Sequence, residues 1–195
     1  MARNCWVGST VLSVALVSSA CSQAPGGQVT SARIKPTYDA KTRRLQSITY
    51  DRNGDGAIDA WTYMDGTKVV RAELDENYDG RTDRWEYYKT GAGESRAATA
   101  AALERVESSS RQNGVVTRRE WYENGAIARA EEDTDGDSQV DKWEQWQNGV
   151  LVELALDTHR RGRPDRRIIY GPDGSSPRFE VDPDGSGQFR PAATH

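Results

Sequence analysis

The sequence predicts a mainly β protein, an elongated antiparallel meander of hairpins that repeats about every 24 residues. Three observations lead to this prediction. Tryptophan and aspartate recur at a nearly constant spacing, short segments alternate between apolar and polar residues, and Asn-Gly or Asp-Gly pairs separate the segments. The composition agrees, because 35% hydrophobic and 29% charged residues leave little material for a thick core.

The repeat is visible in its aromatic residues. Trp61 and Trp85 are 24 residues apart, and Trp121 and Trp143 are 22 apart. Aspartates step along the chain in a similar way, at Asp51, Asp75, Asp133, Asp157 and Asp182. A period of this length indicates one supersecondary unit per repeat.

Each unit is predicted to contain two strands. In the segment VVRAELD, Val70, Ala72 and Leu74 alternate with polar residues and share one face of a strand. The pairs Asn124-Gly125 and Asn148-Gly149 are typical of tight hairpin turns. The units therefore join into a continuous meander, one hairpin per repeat.

The repeat domain is expected to span residues 37–190, followed by a tail at 191–195. An insertion at 91–104 separates the second and third units. Its alanine-rich centre is compatible with a short helix or with a low-complexity loop.

The N-terminus is expected to be a signal peptide, residues 1–20. Arg3 precedes the apolar run 6–17, and the sequence SSAC ends at Cys21. This pattern resembles a bacterial lipoprotein signal, which implies that Cys21 becomes lipidated. Ordinary cleavage after Ala20 is the alternative.

The lipoprotein resemblance implies a protein held by a lipid anchor at the membrane of the bacterial cell envelope. Residues 21–36 are small and polar and include Gly and Pro, so they are expected to form a flexible tether.

The segments WYENGAIARAEED and VDKWEQWQNGVLVELAL resemble the MORN-type repeats of bacterial secreted proteins. The resemblance covers most of residues 45–171. It implies an elongated sheet that acts in scaffolding and surface binding rather than in one particular reaction.

Three loops, 51–59, 75–83 and 133–141, place acidic or amide side chains at positions 1, 3, 5 and 9. Such alternating oxygens are the ligands that Ca²⁺ takes, together with a backbone carbonyl at position 7. The expected calcium ligands are Asp51, Asn53, Asp55, Ala57 and Asp59; Asp75, Asn77, Asp79, Arg81 and Asp83; and Asp133, Asp135, Asp137, Gln139 and Asp141.

These loops are EF-hand-like, but an EF-hand takes its last ligand from position 12, where Glu86 and Glu144 stand in two loops and Thr62 in the other. If a strand follows the loop, positions 9 and 12 face opposite sides of the sheet, so position 9 closes the site. The pattern then resembles the DxDxDGxxD calcium loops of integrin-α repeats. The alternative is that Asp, Asn and Gly serve only as turn formers.

Two further loops are expected to differ. The loop 157–165 carries His159 and Arg161 at ligand positions, which predicts no metal, and the acidic segment 182–187 stops before position 9. In the other loops calcium would relieve the repulsion between crowded carboxylates and stabilise a thin sheet.

The remaining features restrict the function. A net charge of −4 offers no basic surface for nucleic acid. Catalysis is not expected, because His159 and His195 have no nucleophile patterned beside them. A row of large, mostly aromatic side chains is compatible with binding an envelope protein or a glycan, or with simply covering the sheet: Met64, Tyr88, Trp146 and Tyr170.

The expected function is therefore that of a calcium-stabilised binding or scaffolding lipoprotein. The alternatives are a secreted accessory or inhibitor-like module and an envelope hydrolase.

Overall fold

The computed structural model of the chain describes residues 33–89, 103–171 and 176–192. These residues form a single antiparallel sheet in which every strand pairs with its neighbours in sequence. The predicted mainly β meander is thereby confirmed. The signal peptide with Cys21, most of the tether, residues 91–102 of the insertion and the end of the tail lie outside the described residues.

The strands are β1 (Ile34–Tyr38), β2 (Leu45–Tyr50), β3 (Ala60–Asp65), β4 (Lys68–Leu74), β5 (Arg84–Tyr88), β6 (Leu103–Ser108), β7 (Arg118–Glu123), β8 (Ala126–Glu132), β9 (Lys142–Gln147), β10 (Val150–Leu156), β11 (Arg166–Ile169), β12 (Arg178–Val181) and β13 (Arg190–Pro191). The first strand thus includes residues expected in the tether, and β6 begins inside the expected insertion.

Connections alternate between the two ends of the strands, which form the two long sides of the sheet and are distinct from its edge strands β1 and β13. One edge, here called the loop edge, carries loop 1 (51–59), loop 2 (75–83), loop 3 (109–117), loop 4 (133–141), loop 5 (157–165) and loop 6 (182–189). The opposite edge carries the tight turns. Asn124 and Gly125 both have positive φ (51° and 81°) and connect β7 to β8 in two residues. Such a pair of left-handed residues matches the twist of the flanking strands, as predicted from the Asn-Gly pairs.

A β-bulge recurs at one place in five hairpins. On the second strand of each pair, one residue has no partner opposite it: Gln46, Val70, Glu104, Ala128 and Val152. The predicted alternation therefore holds for Ala72 and Leu74 but ends at Val70. Because a bulge bends the strand and increases its twist, its recurrence gives each repeat the same local distortion.

The two faces of the sheet carry different rows of side chains. On the tryptophan face, Trp61 pairs with Glu73, and Glu73 pairs with Trp85. Trp121 lies on this face too, but opposite Arg105, two residues further along its strand than the tryptophans of the other repeats. Because side chains alternate with a period of two, this shift leaves Trp121 on the same face.

The other face, here called the glutamate face, holds the best-buried apolar residues. Val106 and Ala130 are each 1% exposed, although the described residues contain no second layer. Val106 lies between Glu86 and Glu120 on the neighbouring strands. The core therefore consists of small side chains overlaid by the stems of longer ones.

Ion pairs join the repeats across the glutamate face. Arg118 donates to Glu120 (2.8 Å), to Glu132 (3.0 Å) and to Glu144 (2.9 Å), and Lys142 approaches Glu144 at 2.8 Å. Burial raises the pKa of Glu144, but the hydrogen bonds from Arg118 and Lys142 outweigh it and lower the pKa to about 2.

Each free edge of the sheet presents a proline where a donor would otherwise stand. The Asp51 N–H donates to the Arg33 carbonyl, so Ile34 and Pro36 direct their backbone groups away from β2. The Ala192 N–H donates to the Phe179 carbonyl, which turns Pro191 outward in the same way. In the described residues, β1 and β13 therefore each have one outward-facing position without an N–H.

We expect the double substitution Pro36→Thr and Pro191→Thr to promote pairing between molecules, because it restores one outward N–H at each edge. Analytical ultracentrifugation should show a mass that rises with concentration. Pro183→Thr in loop 6 is the matched control and should leave the mass unchanged, and a strictly monomeric double variant would contradict the assigned role of the edge prolines.

Acid should destabilise the sheet partly through Glu144. Its lowered pKa stabilises the fold above the ordinary value of 4.5, and this contribution is lost as the pH falls toward 2. Glu144→Gln should reduce the free energy of unfolding by about 2 kcal/mol at pH 7. In urea titrations the variant's free energy of unfolding should also depend less on pH between 4.5 and 2.

Glu123→Gln is the control, since Glu123 is exposed at the end of β7. An equal loss of stability in both variants at pH 7 would count against a stabilising role of the ion pairs of Glu144.

Candidate metal sites on the loop edge

The loops of the loop edge share one backbone form. Each has left-handed residues at positions 4 and 6: Gly54 and Gly56, Tyr78 and Gly80, Gln112 and Gly114, Gly136 and Ser138, Arg160 and Gly162, and Gly185 and Gly187. The DxDxDGxxD pattern contains a glycine at position 6 but gives no sign of position 4, because tyrosine, glutamine and arginine are not typical of this conformation.

Backbone N–H groups inside each loop point at the side chain in position 1. In loop 2 the N–H groups of Tyr78 and Gly80 each donate to Asp75 at 2.7 Å. The carboxylate at position 9 accepts the next N–H groups, since Glu76 and Asn77 donate to Asp83 Oδ2 at 3.2 and 3.4 Å. Two buried aspartates thus close the loop by accepting donors that would otherwise be unpaired.

Loop 3 keeps this form without acidic residues. The N–H of Asn113 donates to Ser109 Oγ at 3.0 Å, and the N–H of Ser110 donates to Thr117 Oγ1 at 2.9 Å. Hydroxyls can therefore replace the carboxylates at positions 1 and 9. Positions 1 and 9 therefore shape the loop with either kind of acceptor. In the acidic loops the side chains at positions 3 and 5 accept further N–H groups, since the N–H of Asp79 donates to Asn77 at 3.0 Å and that of Arg81 donates to Asp79 at 2.9 Å.

Neighbouring loops are joined by a row of backbone hydrogen bonds. The N–H at position 1 of each loop donates to the carbonyl at position 9 of the preceding loop, as in Asp75 to Asp59 and Asp133 to Thr117, both at 2.8 Å. Two strand spacings separate successive loops, so their centres are about 10 Å apart.

Loop 4 brings three carboxylates together. The oxygens of Asp133, Asp135 and Asp141 all lie within 4.8 Å of one another, so this group can hold a metal ion. Asp137 instead accepts the N–H of Gln139 at 2.8 Å. Arg160 of loop 5 already contacts Asp135 at 2.6 Å and supplies part of the positive charge there.

Loop 2 contains a buried acceptor without a donor. Asp83 is 2% exposed, and its Oδ1 has no hydrogen-bond partner. An unpaired carboxylate oxygen in this position is costly unless a cation or another donor meets it. Asn77 and Asp79 lie on the outer part of the same loop, and Arg81 donates its N–H to Asp79 at 2.9 Å.

Loop 1 is similar. The Asp59 carboxylate is 1% exposed and accepts the N–H groups of Arg52 and Asn53 through Oδ2. Asp55 is exposed, and its pKa is lowered by the N–H of Ala57 and by the amide of Asn53.

Loop 5 satisfies its own carboxylate at position 9. Thr158 Oγ1 donates to Asp165 Oδ1 at 2.9 Å, and His159 Nδ1 lies 2.5 Å from Asp165 Oδ2. Burial raises the pKa of Asp165, but these hydrogen bonds outweigh it and lower the pKa. The prediction that this loop binds no metal is untested.

The glutamates at position 12 take part in a different structure. Glu86 accepts hydrogen bonds from Arg84 and Tyr88 on the glutamate face, and Glu144 is held by the ion pairs described above. The aspartates at position 9, Asp83 and Asp141, instead accept N–H groups inside their own loops.

No protein-family profile matches this chain, and comparison with curated proteins finds no significant match. Among residues 33–89, 103–171 and 176–192, there is no helix with the length and apolar character needed to span a membrane.

The left-handed position 6 should respond to glycine exchanges in opposite directions. Gly80→Ala should lower the free energy of unfolding by about 1 kcal/mol, because φ is +85° there although a Cβ would meet open space. Ser138→Gly in loop 4 should raise it by a similar amount, since Ser138 has a φ of +73°. Chemical denaturation measures both changes in the free energy of unfolding. If the two substitutions changed it in the same direction, the shared loop form would be contradicted.

Proposed function

We propose that the protein is a calcium-stabilised β-repeat module that acts by binding or scaffolding at the bacterial cell envelope. The observation that carries the calcium assignment is Asp83 Oδ1, a buried carboxylate oxygen without a donor at the position expected to close the metal site. The three close carboxylates of loop 4 add support.

Calcium suits these loops better than a smaller or softer ion. The ligands at positions 1, 3, 5 and 9 are oxygens, as Ca²⁺ prefers, and within the three acidic loops no histidine or cysteine is present. The N–H groups bound to Asp51 or Asp75 leave lone pairs on the same carboxylates for a cation. Loops that hold their shape through their own hydrogen bonds can bind a cation without large rearrangement.

Scaffolding fits the surfaces of the sheet better than catalysis does. On the tryptophan face, Arg129 lies 3.6 Å from the ring of Trp121 and Arg105 lies 4.2 Å from the ring of Tyr87. The tips of Tyr122 and Trp146 donate to glutamates on the other face. These aromatic rings are therefore engaged within the sheet, which favours their covering role and leaves the loop edge as the accessible feature.

We further propose that Cys21 carries the lipid that attaches this module to the membrane. Mass spectrometry of the mature N-terminus distinguishes the anchored protein from a secreted accessory module. A diacylglycerol-modified cysteine supports the anchor, whereas a free N-terminus at Cys21 supports secretion after ordinary cleavage.

Calcium should raise thermal stability, and chelation should reverse the effect. At about 10 mM calcium each occupied loop should contribute about 2 kcal/mol, given affinities of about 10⁻⁴–10⁻³ M. Asp79→Asn should remove the calcium-dependent stabilisation that loop 2 contributes, while its side chain still offers an acceptor for the Arg81 N–H. Differential scanning calorimetry with calcium or with EGTA measures the shift.

Asp65→Asn makes the same change of charge at an exposed residue of the opposite edge and is the control. If EGTA leaves the unmodified protein's melting temperature unchanged, calcium stabilisation is wrong.

A further inference from the structure

The oxygens of the position-9 aspartates differ in how many donors they already accept. A carboxylate has about four lone-pair sites, two on each oxygen. In loop 2, Asp83 Oδ2 accepts two N–H groups and Oδ1 accepts none. This carboxylate therefore has one whole oxygen available to a cation.

In loop 4 the corresponding oxygen is occupied. Asp141 Oδ1 accepts the hydroxyl of Thr134 at 2.7 Å and the N–H of the same residue at 3.2 Å. Asp141 Oδ2 accepts the N–H groups of Thr134 and Asp135 at 3.1 and 3.3 Å. Three donors, one of them shared between the two oxygens, thus occupy both oxygens of Asp141.

Loop 5 goes one step further, because Thr158 and His159 both donate side-chain groups to Asp165. The feature that loops 4 and 5 share is a threonine at position 2. Loops 1 and 2 have Arg52 and Glu76 there, neither of which carries a hydroxyl on Cβ.

We propose that the residue at position 2 sets the cation affinity of each loop, because a threonine there donates to the oxygen of the position-9 aspartate that a cation would use. Loop 2 then binds calcium more tightly than loop 4, and loop 5 is closed by its own donors. This ranking rests on the proposed calcium function. It assigns Thr134 and Glu76 roles in calcium affinity although neither is an expected ligand.

The exchange of these residues is structurally simple. The Glu76 N–H donates to Asp83 as the Thr158 N–H does to Asp165, at 3.2 and 3.1 Å. A threonine in place of Glu76 starts from the same backbone position and can reach Oδ1. Glu76 is exposed, so its replacement disturbs no packing.

The test measures each loop by itself with calcium as the titrant. Asp55→Asn with Asp137→Asn leaves loop 2 as the intact acidic loop, and Asp55→Asn with Asp79→Asn leaves loop 4. In the first background, Glu76→Thr is compared with Glu76→Gln, which removes the same charge without adding the hydroxyl. In the second, Thr134→Val is compared with Thr134→Ser, which keeps the hydroxyl.

Isothermal titration should show calcium affinity about tenfold weaker for Glu76→Thr than for Glu76→Gln, the effect of one added hydrogen bond to a charged group. Thr134→Val should bind about tenfold more tightly than Thr134→Ser, for the same reason. Circular dichroism without calcium confirms that all four variants are folded.

Equal affinities within both pairs would overturn the role of position 2 while leaving the calcium function intact. If neither background protein binds calcium before position 2 is changed, the proposed function itself fails, and this inference fails with it.

Discussion

In loops 1 to 5, two carboxylates or hydroxyls accept the loop's own backbone N–H groups, and the order of the loop edge depends on this interaction. A nine-residue connection with left-handed residues at positions 4 and 6 turns several donors inward, where water has little access. Asp75 and Asp83 meet these donors in loop 2, and Ser109 and Thr117 meet them in loop 3. The loop can then present Asn77 and Asp79 outward without losing its shape.

Within the described part of the chain, the sheet has no second layer packed on either face. Among the described residues, the fully buried apolar side chains are small, such as Val106 and Ala130, and glutamates on the neighbouring strands flank both. Ion pairs such as that of Arg118 with Glu144 connect residues 26 positions apart and couple adjacent repeats. These pairs are half-buried, so they are less screened by salt than exposed pairs are.

The sequence was sufficient for the architecture because local signals agree with one another. The repeat period, the Asn-Gly turns and the alternation in Ala72 and Leu74 all favour the same hairpin. The bulge at Val70 could not be predicted, since apolar alternation gives side-chain parity but not backbone pairing. The ion pairs of Arg118 also depend on the register between strands that are distant in sequence, which composition does not reveal.

Among the candidate ligands, spacing identified the acidic loops but not the donors that already occupy their oxygens. Nothing in the pattern distinguishes Asp83 from Asp141, although the first has an unpaired oxygen and the second has none. That difference arises from Thr134, a residue that sequence reasoning had no cause to select.

The outward-facing prolines have a consequence for the size of the molecule. Because the edge prolines disfavour the addition of a strand, the length of the sheet is set by its number of repeats. Thirteen strands span about 58 Å from edge to edge. Duplication of an internal unit would lengthen the protein by about 10 Å and leave both ends unchanged. The number of repeats thus sets both the length of the sheet and the number of loops, which recur at a regular spacing along it.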